Sequence, residues 1–157
     1  MINAGFTELL LGLLAILLLV AAVIDVRTFT ISNSLNLAVA LLAPIYWLSV
    51  EMPLWPNVAI QIGVGAGVFA LLAGAFYAGM MGGGDVKLAA ALALWFSPAS
   101  TVEFLIWMSI AGGVLTLAIV AFHRMRGKAG RPEIPYGVAI AFGGFAILTQ
   151  RLLNQFA

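Results

Sequence analysis

The chain has 157 residues, of which 64% are hydrophobic and only 8% charged, with a mean hydropathy of +1.14. That leaves too little polar surface to cover a water-soluble globule of this size, so an integral membrane protein is implied. The formal net charge of +1 says little about partners, no nucleic acid is expected among them, and the absence of cysteine excludes disulfides, thiolate zinc sites and cysteine nucleophiles.

The first apolar segment runs from Phe6 to Ile24. It has no basic residue ahead of it, it carries Glu8, and it leads into Asp25 instead of a small-residue cleavage site, so it reads as a retained helix and not a signal peptide. Five further segments follow: Leu35 to Val50, Val58 to Ala78, Val86 to Phe96, Val102 to Phe122 and Tyr136 to Leu153. Each is apolar on all faces, so periodicity cannot orient them, and length and breakers must arbitrate. The breakers are Asn33, Pro53 and Pro56, Gly82-Gly83-Gly84, Pro98, and the stretch from Gly127 to Pro135. The expectation is an all-α, polytopic bundle of six transmembrane helices in a single membrane domain over residues 1–157. The fourth segment is short. Asp85 to Phe96 is 12 residues, which covers roughly 18 Å of a hydrocarbon core about 30 Å thick. Either the bilayer thins there or the glycine stretch dips below the surface, where irregular backbone survives only against protein or a wet cavity.

The basic residues orient the bundle. With an outside amino terminus, the loops after the first, third and fifth helices hold Arg27, Lys87, Arg124, Arg126, Lys128 and Arg131, leaving only Arg151 at the far end. Six of seven basic residues on one side is a positive-inside pattern and makes that side cytoplasmic.

Asp25 and Asp85 are the only aspartates, and both fall on that side. A carboxylate at the edge of hydrocarbon is costly to keep ionised, so two of them suggest an acid/base pair. Two carboxylates in one low-dielectric cleft cannot both ionise and would share a proton. Each has a structural alternative. Asp85 ahead of a helix is a favoured N-cap. Asp25 sits at a helix C-terminus, where the macrodipole disfavours it, and Arg27 could offset it as a surface ion pair. Glycines 82–84 permit positive φ and close approach of a substrate backbone. Lys87 could bias Asp85 or bind headgroups. The pairs Gly63/Gly67, Gly74/Ala78, Gly112-Gly113 and Gly143-Gly144 read as close helix packing. His123 lacks ligand-spaced partners and reads as a headgroup-level residue, so no metal is expected. The Arg124–Arg131 cluster reads as a contact to anionic lipid. No hydroxyl has a His or Lys base at recognisable spacing, which argues against a serine-type protease.

Gly82-Gly83-Gly84-Asp85 fits the GxGD motif of membrane-embedded aspartyl proteases, and the continuation Val86-Lys87-Leu88 is similar to the GxGDxK form of the type IV prepilin peptidases. Asp25-Val26-Arg27 followed by Ile31-Ser32-Asn33 resembles their first catalytic segment, with Ser32 in place of the usual proline, a departure expected to loosen a turn. Pro135-Tyr136-Gly137-Val138-Ala139-Ile140 resembles the opening of their last helix, with Val138 where many members have proline. The resemblance implies a GxGD-type bundle with catalytic Asp25 and Asp85, supported by Gly82, Gly83, Gly84, Lys87, Arg27 and Asn33. It implies no cofactor. It also implies a prepilin or pseudopilin substrate with a short basic leader and a hydrophobic helix, a membrane-lipid environment, and a place in the cytoplasmic (inner) membrane with a cytoplasmic active site. Without cysteines or a preceding cytoplasmic region, the chain looks like the short form associated with Flp-type pili, which lacks the methyltransferase part. Two rivals remain: a proton- or cation-coupled transporter using the same acids as a relay, and an inactive pilus assembly factor.

Overall fold

The computed structural model describes residues 4–127, 130 and 132–156. Among these the chain forms six α-helices and no strand: α1 (Ala4–Thr28), α2 (Asn33–Ser49), α3 (Ala59–Tyr77), α4 (Gly83–Ala93), α5 (Pro98–Met125) and α6 (Tyr136–Phe156), with an irregular turn at Leu54–Val58 leading into α3. Four stretches are long and apolar enough to cross a bilayer: Gly5–Thr28, Leu54–Tyr77, Pro98–Met125 and Tyr136–Asn154. The apolar α2 has 17 residues. With 11 residues, α4 rises only about 16 Å. The protein is an all-α, multi-pass membrane protein.

α1, α5 and α6 overrun the apolar segments that predict them, because a helix continues through polar residues until backbone geometry stops it, whereas α3 stays within its segment and α4 starts three residues before Val86 and ends three before Phe96. α1 passes Ile24 and includes Asp25 and Arg27. It stops at Phe29, whose φ of +52° is left-handed and whose N–H closes onto the Asp25 carbonyl at 2.8 Å. Asn33, expected as a breaker, is the first residue of α2. Ser32 caps that helix, its Oγ accepting the Leu35 N–H at 3.3 Å, with φ −68°, the value proline would impose. The serine therefore anchors the turn that it was expected to loosen. Pro98 likewise opens α5 behind a Ser97 cap.

Side-chain hydrogen bonds set the order of the bundle. The Thr7 hydroxyl donates to Ser49 Oγ at 3.0 Å, joining the start of α1 to the end of α2. Asn36 donates to the Gly84 carbonyl at 2.9 Å and Trp47 Nε1 to the Leu94 carbonyl at 2.8 Å, so α2 and α4 run parallel. Gln61 Nε2 donates to the Ala93 carbonyl at 2.8 Å, which pairs the start of α3 with the end of α4. The ends of α1, α3 and α5 and the starts of α2, α4 and α6 therefore share one end of the bundle. At the centre, Leu88 and Leu92 of α4 are fully buried with Leu14, Leu18, Phe104 and Ile140. The periphery is apolar too, with Leu9, Leu41, Leu48 and Leu117 exposed, as lipid contact allows.

Close helix packing falls on fewer glycines than expected. A Cβ on Gly143 would lie 3.0 Å from the Phe104 carbonyl, and one on Gly144 would lie 2.7 Å from Leu18. Gly112 packs against Tyr136, but none of the described residues approaches Gly63, Gly67, Gly74 or Gly113. Those four face outward, so their small size serves no contact within the bundle.

Candidate active site

Asp25 is carried by the last turn of α1 and is 2% exposed. Its Oδ2 accepts the Gly137 N–H at 2.6 Å, a donor at the second position of α6 that has no partner within its own helix. A helix start thus supplies to Asp25 the positive field that the end of α1 denies it. Asp85 lies at the third position of α4 and is also buried. It is not the N-cap residue: Gly82 occupies that position, and the Asp85 Oδ2 turns back to accept the Gly82 N–H at 3.2 Å.

Ile31 joins the two carboxylate segments. A Cβ on Gly137 would meet Ile31 Cδ1 at 2.8 Å, and a Cβ on Gly84 would meet the Ile31 carbonyl oxygen at 2.8 Å. One residue therefore separates the donor on Asp25 from the residue preceding Asp85. The glycines serve close approach here. Among the described glycines, positive φ occurs at Gly79, Gly127 and Gly130 and not at Gly82, Gly83 or Gly84, the last two of which are helical. Asp85 lies outside the four spans, and its carboxyl is pushed up to about 7, first by burial and then by the neighbouring Asp25 charge, against the opposing Gly82 N–H.

A cavity of about 730 Å³ opens beside Asp85, lined by Phe29, Met81, His123, Arg124, Glu133 and Tyr136 among others. His123 is therefore a half-buried wall residue of this cleft, with Nε2 unpartnered among the described residues. Arg27 is exposed, and the bond on Asp25 comes from Gly137 instead. Lys87 also points away from the carboxylates, donating to Asn33 Oδ1 at 2.8 Å and tying α4 to the start of α2. Lys128 and Arg131, expected in the lipid-facing basic cluster, lie outside the described residues. Among the described residues no three potential metal ligands gather.

Sequence reading missed Asn36, which is 5% exposed and holds the Gly84 carbonyl while its own Oδ1 is buried without a partner. A lone amide inside an apolar segment was the available signal. It also missed the backbone role of Gly137, which no side-chain pattern encodes.

No curated protein and no solved structure matches the chain. Residues 12–117 match the model of the type IV leader peptidase family, a stretch that holds both aspartates and covers more than half of the chain. The buried carboxylates beside an open cleft, set in a helical membrane bundle, thus belong to a chain that is a member of the type IV leader peptidase family.

Proposed function

We propose that the protein is an aspartic endopeptidase of the cytoplasmic membrane that removes a short basic leader from Flp-type prepilins at the cytoplasmic membrane boundary. The observation that carries this reading is the meeting of Asp25 and Asp85 around Ile31, both buried at one end of the bundle and with Asp85 on an open cleft. In this mechanism the pair holds one proton. The ionised carboxylate takes a proton from water as the water oxygen bonds to the scissile carbonyl carbon, and the protonated one hydrogen-bonds the carbonyl oxygen. When the carbon–nitrogen bond breaks, the pair returns a proton to the leaving amine. The Gly137 and Gly82 N–H groups hold Oδ2 of each carboxylate.

The cytoplasmic placement is supported by Arg27, Lys87, Arg124 and Arg126, which lie at the aspartate end. A transport reading is less well supported, since the fully buried Leu88, Leu92 and Phe104 separate the two ends of the bundle. Reconstitution with a prepilin substrate tests the proposal. Asp25→Asn and Asp85→Asn should each reduce leader removal at least about 100-fold, and the double variant should be no worse than either, as for residues acting as a unit. Normal processing by either single variant would remove that residue from the mechanism.

A further inference from the structure

At the end of the bundle opposite the aspartates, a second cavity of about 740 Å³ lies where α4 would have continued. The turn that ends α4 is held by other helices: Gln61 Nε2 reaches the Ala93 and Phe96 carbonyls, Trp47 the Leu94 carbonyl, and Trp95 Nε1 the Val39 carbonyl at 3.0 Å. Its backbone is thereby satisfied, as irregular chain at membrane depth requires. The space beyond the turn is not filled by the described residues.

Its lining is two-sided. Met52, Trp95, Phe96 and Ile147 form apolar walls, and Gln61, Gln150, Asn154 and Arg151 supply polar groups. Arg151 is the one basic residue at this end among the described residues, against the positive-inside trend. It is fixed in place: its guanidinium stands 5.2 Å over the Tyr46 ring and donates to the Tyr46 hydroxyl. Arg151 lies about 21 Å along α6 from Gly137, the donor on Asp25, which sets it near the far edge of the hydrocarbon. Ser97 and Ser100 at the start of α5 line the same cavity; the Ser100 N–H is taken by the Ser97 cap, and the Ser100 hydroxyl, which accepts from Ser97 Oγ at 3.0 Å, keeps its own hydrogen to donate. Glu103, an exposed carboxylate one turn along α5, completes the lining.

The geometry points to a binding site for a phosphodiester headgroup that also carries a primary ammonium, as in phosphatidylethanolamine of the outer leaflet. Arg151 and the Ser100 hydroxyl take the phosphate, Glu103 takes the ammonium, and the apolar walls take the first carbons of the acyl chains. A site of one charge sign would favour an anionic lipid; a carboxylate lining the same cavity as the arginine selects the zwitterion. The proposal does not depend on the peptidase reading.

Thermal unfolding of the detergent-purified chain tests it, with phosphatidylethanolamine, phosphatidylglycerol, phosphatidylcholine or inorganic phosphate added. Phosphatidylethanolamine should raise Tm by about 5 °C or more above phosphatidylcholine. Arg151→Gln should abolish that difference, and Glu103→Gln should bring phosphatidylethanolamine down to the level of phosphatidylglycerol. If Arg151→Gln does not fold, Glu103→Gln decides alone. Equal shifts from the three lipids, an undiminished ethanolamine preference in Glu103→Gln, or the whole shift from inorganic phosphate would each overturn the proposal. An Asp25→Asn/Asp85→Asn chain should show the same shifts, which separates this site from leader cleavage.

Discussion

The two aspartates differ in how their surroundings hold them, and the difference predicts a pH profile. A carboxyl pushed up to about 7 carries its proton below that pH and loses it above. If the pair acts with one proton, leader removal should fall as pH rises through about 7, and a rate constant across about pH 5 to about pH 9 would show it. A flat profile to the alkaline end would count against a shared proton. Asp85 also makes a helix-start bond to Gly82, so loss of activity in Asp85→Asn must be separated from loss of fold. Asparagine retains an acceptor oxygen, and the unfolding midpoint should change by no more than a cap is worth, about 0.5–2 kcal/mol. Lys87 bonds Asn33 across an exposed 2.8 Å contact. Lys87→Gln should therefore leave the pH midpoint in place and cost under about 1 kcal/mol.

At the scale of helices, the site depends on how closely three starts and one end approach one another. α6 reaches Asp25 because Gly137 has no Cβ; an added one would sit 2.8 Å from Asp25 Oδ2 and 2.8 Å from Ile31 Cδ1. α4 approaches the strap after α1 because Gly84 leaves room for the Ile31 carbonyl, a backbone atom that cannot rotate away. Gly137→Ala and Gly84→Ala should each destabilise the bundle by about 1–3 kcal/mol and reduce leader removal at least about tenfold. Gly63→Ala, with nothing nearby, should stay within about 0.5 kcal/mol and keep full activity. Unfolding midpoints together with cleavage rates distinguish the three. Equal behaviour of Gly63→Ala and Gly137→Ala would show that general helix propensity, and not close approach, governs these positions.

For the whole molecule, alternation of six helices puts the start of α2 and the turn before α3 at opposite ends. Ser34→Cys should be shielded from an impermeant thiol reagent in intact cells, whereas Asn57→Cys should label; the reverse pattern would move the aspartate cleft to the other side of the membrane. Composition alone determined the membrane setting, because 64% hydrophobic residues cannot be covered by water-facing groups. The apolar runs and their breakers likewise determined six helices and a short fourth one, and the aspartate segments determined the family likeness. Helix ends were legible only to within a turn, since Asp25 and Asn33 are polar residues that a helix still accommodates. Only the tertiary structure decided what each carboxylate touches. Gly137 and Ile31 act through backbone groups and the room left by an absent Cβ, features that carry no hydropathy signal, and the Asn36 amide, visible in its apolar run, gains a partner only when distant helices pack.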